Sequence, residues 1–199
     1  SALASKASIL LFDGFPMYKR EDLLLKIANK EKVTLFGVSA KYIDHLKNEN
    51  FNSKHLDLSS IKIITSTGSP LAEESFKYVY ENIKQDVHLA SIAGGTDLVG
   101  CLVLGNLYSN VHKGEIQGQS LGIDVDVFTN EGKSTKDGDK GELVVKKPFP
   151  SMPIKFWDDN DGQKYHQAYF TRFENIWHHG DFIERTSNNG FIMRGRSDS

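Results

Sequence analysis

The chain has 199 residues, a formal net charge of −2 at pH 7 and a hydrophobic fraction of 39%. This composition is typical of a globular protein, and the charge gives no reason to expect a nucleic acid or an anionic membrane as partner. The single cysteine, Cys101, excludes an intramolecular disulfide and a thiolate metal cluster. The sequence has no basic leader at its start and no apolar stretch of the roughly 18 residues that span a bilayer. We therefore expect a cytoplasmic protein.

The first half alternates helical and strand patterns, which is typical of a parallel sheet covered by helices. Apolar residues at helical spacing predict helices over residues 20–32, 39–48 and 70–84. Ser39 is positioned to cap the second of these helices, and Pro70 to open the third. Apolar runs predict strands over residues 9–12, 33–38, 61–64 and 87–92. The second of these strands should be buried on both faces, because its run is continuously apolar.

In the second half the pattern changes to alternating strands joined by short turns. The segments 123–128 and 142–145 face each other across a turn rich in glycine and aspartate. Further on, Asn189-Gly190 between two apolar segments is a strong hairpin signal. The sequence therefore predicts an α/β fold in two parts. Residues 1–105 form a parallel sheet with covering helices, and residues 106–199 form an antiparallel, barrel-like β subdomain.

Several familiar motifs are excluded. The segment 131–135 ends like a phosphate-binding P-loop, but the position of the first glycine of that motif is Val127, and a hairpin turn fits better. The G-x-G-x-x-G fingerprint is not present, which disfavours an oxidoreductase. The segment 118–122 has the letters of a G-x-S-x-G elbow, but that motif needs a helix after it and a strand pattern follows at 123–128, which disfavours a hydrolase. His178 and His179 are adjacent, so their side chains point to opposite faces of a strand, and we expect one buried and one exposed histidine rather than a metal site.

Three short segments rich in glycine or small polar residues each follow a predicted strand: 66–70, 93–97 and 180–181. Ligands of open parallel sheets bind beyond the carboxyl ends of the strands, where the first two segments lie. Each segment alone is better explained as an ordinary glycine-rich turn.

Together and in this order, these segments resemble the core motifs of adenylate-forming enzymes. These enzymes join a carboxylate to ATP, release pyrophosphate and pass the acyl-adenylate to a thiol. The resemblance implies a nucleotide site formed by Gly68, Ser69, Pro70, Ala93, Gly94, Gly95, Thr96, Asp181 and Arg196. It also implies a contribution of Asp97 to Mg²⁺ binding, directly or through water, and a hinge at Asp198.

The resemblance also implies individual roles. The segment 68–70 borders the adenine, Thr96 meets the α-phosphate, Asp181 accepts both ribose hydroxyl protons, and Arg196 contacts the nucleotide. These side chains suit these roles, because an ionised carboxylate is an acceptor only and an arginine is a fixed cation. A charged hydrogen bond of this kind contributes about 1.5–3 kcal/mol.

Within the superfamily, several stretches resemble the acetoacetate-activating members: 11–14, 39–43, 114–117, 147–153, 177–181 and 195–198. This resemblance implies ATP, acetoacetate and CoA as substrates and no tightly bound cofactor. Small residues at 93–95 should open the acyl pocket to an acid longer than acetate, and we expect Ser39, Lys41 and Gly94 to line that pocket. A solvated helix position for Lys41, and another short or medium acid as substrate, remain open alternatives.

Two parts of the resembled enzymes are not found in the sequence. One is the Ser/Thr/Gly-rich loop ending in lysine that holds the outer phosphates, and the other is the C-terminal domain with the catalytic lysine. We therefore expect an internal fragment that contains no catalytic residue and is inactive alone. A nucleotide-binding module without catalytic activity is the alternative, and the oligomeric state is open.

Overall fold

The computed structural model describes residues 2–197, so the predicted hinge residue Asp198 lies outside the described residues. The helices are α1 (Leu23–Lys30), α2 (Ala40–Asn48), α3 (Glu73–Tyr78), continued by a π-helical turn (Val79–Ile83), and α4 (Gln163–Tyr169). The strands are β1 (Leu35–Ser39), β2 (Ile63–Thr67), β3 (His88–Ser91), β4 (Ala93–Gly95), β5 (Gly100–Leu104), β6 (Gly118–Gln119), β7 (Val125–Phe128), β8 (Lys140–Val145), β9 (Trp177–Arg185) and β10 (Phe191–Arg196).

The first three strands form the predicted parallel sheet, in the order β1-β2-β3. In its register Ser39 pairs with Thr67 and Ser66 with Ser91, so the carboxyl ends of all three strands lie at one edge. Ser39 caps α2 as predicted, because its Oγ accepts a hydrogen bond of 3.1 Å from the backbone N–H of Tyr42. This edge is where a ligand of an open parallel sheet binds.

Two predictions for the first half are wrong. Residues 9–12 form no strand, and Leu11 is 87% exposed. Their backbone finds no neighbouring strand in the part of the chain that the structure describes, and an unpaired strand is not stable alone. β1 is not buried on both faces either, because Phe36 packs into the core while Leu35 is 53% exposed.

The third helix differs from its prediction at its start. It begins at Glu73 rather than Pro70, because Ala72 is extended, with a ψ of 151°, and serves as the N-cap. The helix then widens into the π-helical turn, which buries Val79 and Ile83.

The remaining strands form two antiparallel sheets, one in the order β4-β5-β6 and the other in the order β10-β9-β8-β7. A bridge between Ile116 and Phe191 links the region of β6 to β10. The predicted fold class is confirmed. Residues 93–95 form β4 instead of the predicted loop, and the sequence did not predict α4.

Both predicted turns of the second half form. Asn189 adopts the left-handed conformation at the β9–β10 turn, with a φ of 59°, and Gly190 N–H donates to the Thr186 side chain at 3.1 Å. Thr129 N–H donates to Lys133 O at 2.8 Å, so the segment that ends like a P-loop is a hairpin turn.

The core consists of two large hydrophobic clusters and a small third one formed by Phe128, Val144 and Phe173. The first, from Leu25 to Leu89, packs the helices on the parallel sheet, and the second, from Leu98 to Phe191, fills the antiparallel part. The domain boundary at residue 105 remains a prediction. Among residues 2–197, every helix is too short or too polar to cross a membrane.

Candidate functional site

A cavity of about 550 Å³ opens between β4 and the β9–β10 pair. Its lining combines predicted site residues with others: Gly94, Gly95, Thr96, Asp97, Ala168, Tyr169, His178, His179, Gly180 and Arg196. Segments about a hundred residues apart in sequence therefore meet at one site.

Close packing against backbone atoms requires the first of the two glycines of β4, Gly94, whereas a Cβ on the second, Gly95, would meet only side-chain atoms. A Cβ on Gly94 would lie 2.1 Å from the carbonyl oxygen of Gly100, and a Cβ on Gly95 would lie 2.0 Å from Asp97 Oδ1. Any side chain at position 94 would push β5 away. Antiparallel pairing of β4 with β5 is thus sufficient to explain the glycine at position 94.

Asp181 and Arg196 form the charged part of the site. They are register partners on β9 and β10, and Arg196 Nη1 donates to Asp181 Oδ1 at 3.1 Å. The Asp181 side chain is 10% exposed, and its other oxygen lies 3.6 Å from His179 Nε2. The buried carboxylate is therefore stabilised by a cation and sits directly behind the cavity lining.

Gly180 explains how β9 bends at this point. Its φ is +79°, a left-handed conformation that glycine adopts without strain. Glu142 pairs with Phe182 and Val144 with His178, so residues 179–181 of β9 are opposed by Leu143 alone. Such a bulge redirects side chains locally, and here it directs His179 and Asp181 toward each other.

Asp97 has a partner that the sequence did not reveal. The hydroxyl of Tyr169, at the end of α4, donates a hydrogen bond to Asp97 Oδ2, and the Tyr169 ring stacks on Trp177 with centroids 3.7 Å apart. Burial and then the hydrogen bond to Asp97 raise the pKa of Tyr169 above its ordinary value. The phenol therefore remains a hydrogen-bond donor at neutral pH.

The two adjacent histidines are not one buried and one exposed. The side chain of His179 is 4% exposed and that of His178 only 12%. His178 Nε2 lies 2.8 Å from the buried carboxylate of Glu142, which also binds Arg172 at 3.0 Å and the Ser197 hydroxyl at 2.6 Å. This carboxylate holds His178 inside and connects β8 to the end of β10.

The remaining predicted residues lie outside the cavity lining. Gly68 follows β2 at the carboxyl edge of the parallel sheet, with a φ of +84° and open space where a Cβ would be. Ser39 caps α2 at the same edge, and Lys41 is exposed in the first turn of that helix. Their assignment to an adenine-binding loop and an acyl pocket remains a prediction.

Comparison with known families identifies the chain. A family model described as "AMP-binding enzyme" matches residues 1–152. The chain belongs to the AMP-binding enzyme family. The predicted resemblance to adenylate-forming enzymes is therefore confirmed.

Several proteins are similar to this AMP-binding enzyme over its whole length. The acetoacetyl-coenzyme A synthetase of Rhizobium meliloti is 52% identical, and the chain covers 31% of it. The acetoacetyl-CoA synthetase of Gallus gallus is 40% identical, with 30% of that protein covered. The chain thus spans about a third of the length of the curated relatives it matches.

Solved structures agree. The structure of acetoacetyl-CoA synthetase from Streptomyces lividans superimposes with a TM-score of 0.91 at 38% identity, over 99% of this chain and 31% of that one. The anthranilate CoA ligase AuaEII, solved with anthranoyl-AMP, has a TM-score of 0.79 at 19% identity over 96% of this chain and 35% of that one, and supports the fold alone.

The predicted contribution of this chain to Mg²⁺ binding is one carboxylate, Asp97. Within residues 2–197, no group of three or more His, Cys, Asp or Glu side chains could hold a metal ion. Magnesium in nucleotide enzymes keeps several waters and is bound by one or two carboxylates together with substrate phosphates. Asp97, with Oδ2 bound by Tyr169, fits such a limited contribution.

Five lining residues were not among the predicted site residues: Ala168, Tyr169, His178, His179 and Gly180. The first two lie on α4, a short helix whose side chains are not fully buried, so its apolar pattern is weak. The sequence analysis considers the two histidines as a metal pair, which it disfavours, and includes them in the resembling stretch 177–181 without giving either a role. Their adjacency to Asp181 is the signal that could have found them.

Proposed function

We propose that the full-length protein carrying this chain is an AMP-forming acid–thiol ligase that activates acetoacetate. The acetoacetate carboxylate attacks the α-phosphorus of ATP, giving acetoacetyl-AMP and pyrophosphate. The CoA thiol then attacks the acyl carbonyl, and acetoacetyl-CoA and AMP are released. The family and the acetoacetyl-CoA synthetase relatives support this proposal.

The single observation that carries the proposal is the convergence on one cavity of Thr96 and Asp97, which follow β4, with Arg196 from β10. A hydroxyl, a carboxylate and a guanidinium on facing elements are suited to a nucleoside phosphate. Because Gly94 and Gly95 have no side chains, their backbone N–H groups can approach a phosphate closely.

In this proposal Asp181 accepts hydrogen bonds from the ribose hydroxyls, and Arg196, whose Nη1 lies 3.1 Å from Oδ1, holds the carboxylate in place. Thr96 donates its hydroxyl to the α-phosphate. The segment 68–70 borders the adenine, and Ala93 belongs to the same strand as the two glycines.

The bound Mg²⁺ would neutralise charge on the phosphates of ATP. Asp97 would hold it, directly or through water, and Tyr169 fixes the orientation of that carboxylate. In this proposal the chain contributes to the metal site the Asp97 carboxylate and the tyrosine that positions it.

The acyl pocket is proposed at the carboxyl edge of the parallel sheet. Ser39 is the last residue of β1 at this edge, and Gly94 lies on β4, which begins two residues after the end of β3. In this proposal Lys41, the second residue of α2, contacts the β-keto oxygen of acetoacetate. A length difference of one or two methylenes is worth only about 1–3 kcal/mol, so a polar contact is needed for selectivity.

The reaction also needs groups that we assign to other parts of the full-length protein, including the catalytic lysine that stabilises the adenylation transition state. We propose that the 199 residues alone bind AMP weakly and do not form acyl-adenylate. A cytoplasmic location and the absence of nucleic-acid or membrane partners belong to the same proposal.

The test is pyrophosphate release by the full-length protein with acetoacetate, acetate, butyrate and 3-hydroxybutyrate, with Asp181→Asn as the inactive control. We expect acetoacetate to give the highest kcat/KM. Equal rates on all four acids would refute the acetoacetate assignment. Absence of pyrophosphate release with every acid, together with AMP binding, would instead favour a nucleotide-binding module without catalytic activity.

A further inference from the structure

His179 is a buried side chain of the cavity to which the proposed reaction assigns no role. Its side chain is 4% exposed, and it lies between Trp177 and Asp181 on the bulged part of β9. Histidine is an unusual choice for a purely space-filling position, because both ring nitrogens require hydrogen-bond partners when buried.

The indole of Trp177 fixes the tautomer of this histidine. Trp177 Nε1 lies 3.4 Å from His179 Nδ1 and donates to it. An indole N–H is a donor only, so Nδ1 must be the acceptor. In the neutral ring the proton is then on Nε2, on the side of Asp181.

The other ring nitrogen is the unusual one. Nε2 is buried, and among the described residues 2–197 it has no hydrogen-bond partner. One acceptor, Asp181 Oδ2, lies 3.6 Å away, which is slightly beyond hydrogen-bond distance. Catalytic and binding hydrogen bonds are often long before the ligand arrives and shorten when it binds.

We infer that His179 is a positioning residue: its Nε2–H orients the Asp181 carboxylate toward the ribose hydroxyls of the nucleotide. This inference rests on the proposed function of Asp181. Arg196 already holds Oδ1 at 3.1 Å, so His179 directs Oδ2. A carboxylate has about four lone-pair positions, and these two contacts leave acceptor capacity for both hydroxyls.

A chain of contacts thus leads from the core to the cavity: Trp177 contacts His179, and His179 contacts Asp181. Trp177 is 2% exposed and is locked by stacking on Tyr169, so its N–H is a fixed donor. A fixed carboxylate loses less conformational entropy when the nucleotide binds. These contacts predict that substitution of His179 weakens the binding only of ligands that have ribose hydroxyls.

The experiment compares the binding of AMP and of 2′,3′-dideoxy-AMP, which lacks both hydroxyls, to a full-length protein that carries this chain. Calorimetric titrations would use the wild type, His179→Leu, His179→Gln and the control His112→Gln, an exposed position. We expect His179→Leu to weaken AMP binding about tenfold, the equivalent of one charged hydrogen bond. Binding of dideoxy-AMP should change less than about twofold.

The conservative variant distinguishes positioning from packing. The amide N–H of glutamine reaches near the position of Nε2, so His179→Gln should restore AMP binding to within about threefold of the wild type. If His179→Leu does not fold, His179→Asn replaces it, because its shorter amide reaches only the position of Nδ1. The asparagine variant should then bind AMP as weakly as expected for leucine.

An equal loss for AMP and dideoxy-AMP, or unchanged AMP binding in the leucine or asparagine variant, would overturn the inference. Equal binding of AMP and dideoxy-AMP by the wild-type protein would instead count against the proposed function. In that case the ribose role of Asp181 itself fails, and the inference about His179 fails with it.

Discussion

The parallel-sheet region, residues 23–91, and the antiparallel region, residues 93–196, differ in how their predicted site residues are arranged. In the first region these residues follow one another along a sheet edge, and Gly68 has open space around it. In the second region Thr96, Asp97 and Arg196 line one cavity, with Asp181 behind them. A motif in a βα loop is thus positioned by local structure, whereas the charged part of the site depends on pairing between distant strands.

The largest effect that this comparison predicts is at Gly94. We expect Gly94→Ala to destabilise the protein by about 3 kcal/mol, because the new Cβ would meet the backbone of Gly100 and Cys101 at 2.1 and 2.6 Å. Urea denaturation followed by circular dichroism measures this change.

The matched control is Gly118→Ala on β6, where nothing lies within 4 Å of the new Cβ. That variant should change the free energy of unfolding by about 1 kcal/mol or less. Equal effects of the two variants would mean that the glycine at position 94 is not required by strand packing.

The second prediction concerns a charge cluster in the parallel-sheet region. Burial alone would raise the pKa of Asp22, but its contacts with Arg20, Lys26 and His55 outweigh burial and lower the pKa to about 2. Asp22 therefore contributes stability that is fully present above its unfolded pKa of about 3.9 and is lost as the pH falls toward 2.

We expect Asp22→Asn to cost about 2 kcal/mol of unfolding free energy at pH 7 and much less near pH 2. The comparison variant is Glu81→Gln, which removes an exposed ion pair with Lys77 and should have a much smaller effect. A pH-independent loss in Asp22→Asn would show that the charge of the carboxylate is not what stabilises this cluster.

Much of the parallel-sheet region could be predicted from the sequence, because its helices and strands have strong periodic patterns. Ser39 as the cap of α2 is an example, since capping depends on a few neighbouring residues. The exposed strand face at Leu35 could not be predicted, because exposure depends on which elements cover the sheet.

The antiparallel region was less predictable. β4 consists of Ala93, Gly94 and Gly95, residues with low strand propensity, and pairing with β5 forms the strand despite this. Asp97 and Asp181 were predicted from the family resemblance, but their partners Tyr169 and His179 were not. Those contacts depend on a short helix and on a bulge, which leave little trace in a single sequence.

The third prediction tests the connection between α4 and Asp97. Tyr169→Phe retains the stacking on Trp177 and removes only the hydroxyl that binds Asp97. If Asp97 contributes to Mg²⁺ binding, the Mg²⁺ concentration for half-maximal pyrophosphate release should rise about tenfold, equivalent to about 1.4 kcal/mol.

Tyr108→Phe is the control for this variant, because Tyr108 is 99% exposed. It should leave the Mg²⁺ dependence unchanged. A similar Mg²⁺ dependence for Tyr169→Phe and the wild type would show that Tyr169 does not position a metal-binding carboxylate.

The smallest expected effect is at the sheet edge. Lys41 is exposed in α2, so Lys41→Ala should change the free energy of unfolding by less than about 0.5 kcal/mol. If Lys41 meets the β-keto oxygen, the ratio of kcat/KM for acetoacetate to that for butyrate should fall about fivefold. Lys30→Ala, at a lysine of α1 whose side chain is 83% exposed, is the control. An unchanged ratio would identify Lys41 as a solvated helix residue.

The most direct measurement is a crystal structure of the full-length protein with AMP. We expect AMP to occupy the cavity between β4 and the β9–β10 pair, with both ribose hydroxyls bonded to Asp181 and the α-phosphate next to Thr96. A nucleotide bound elsewhere, or one whose ribose hydroxyls contact residues other than Asp181, would contradict the proposed nucleotide site.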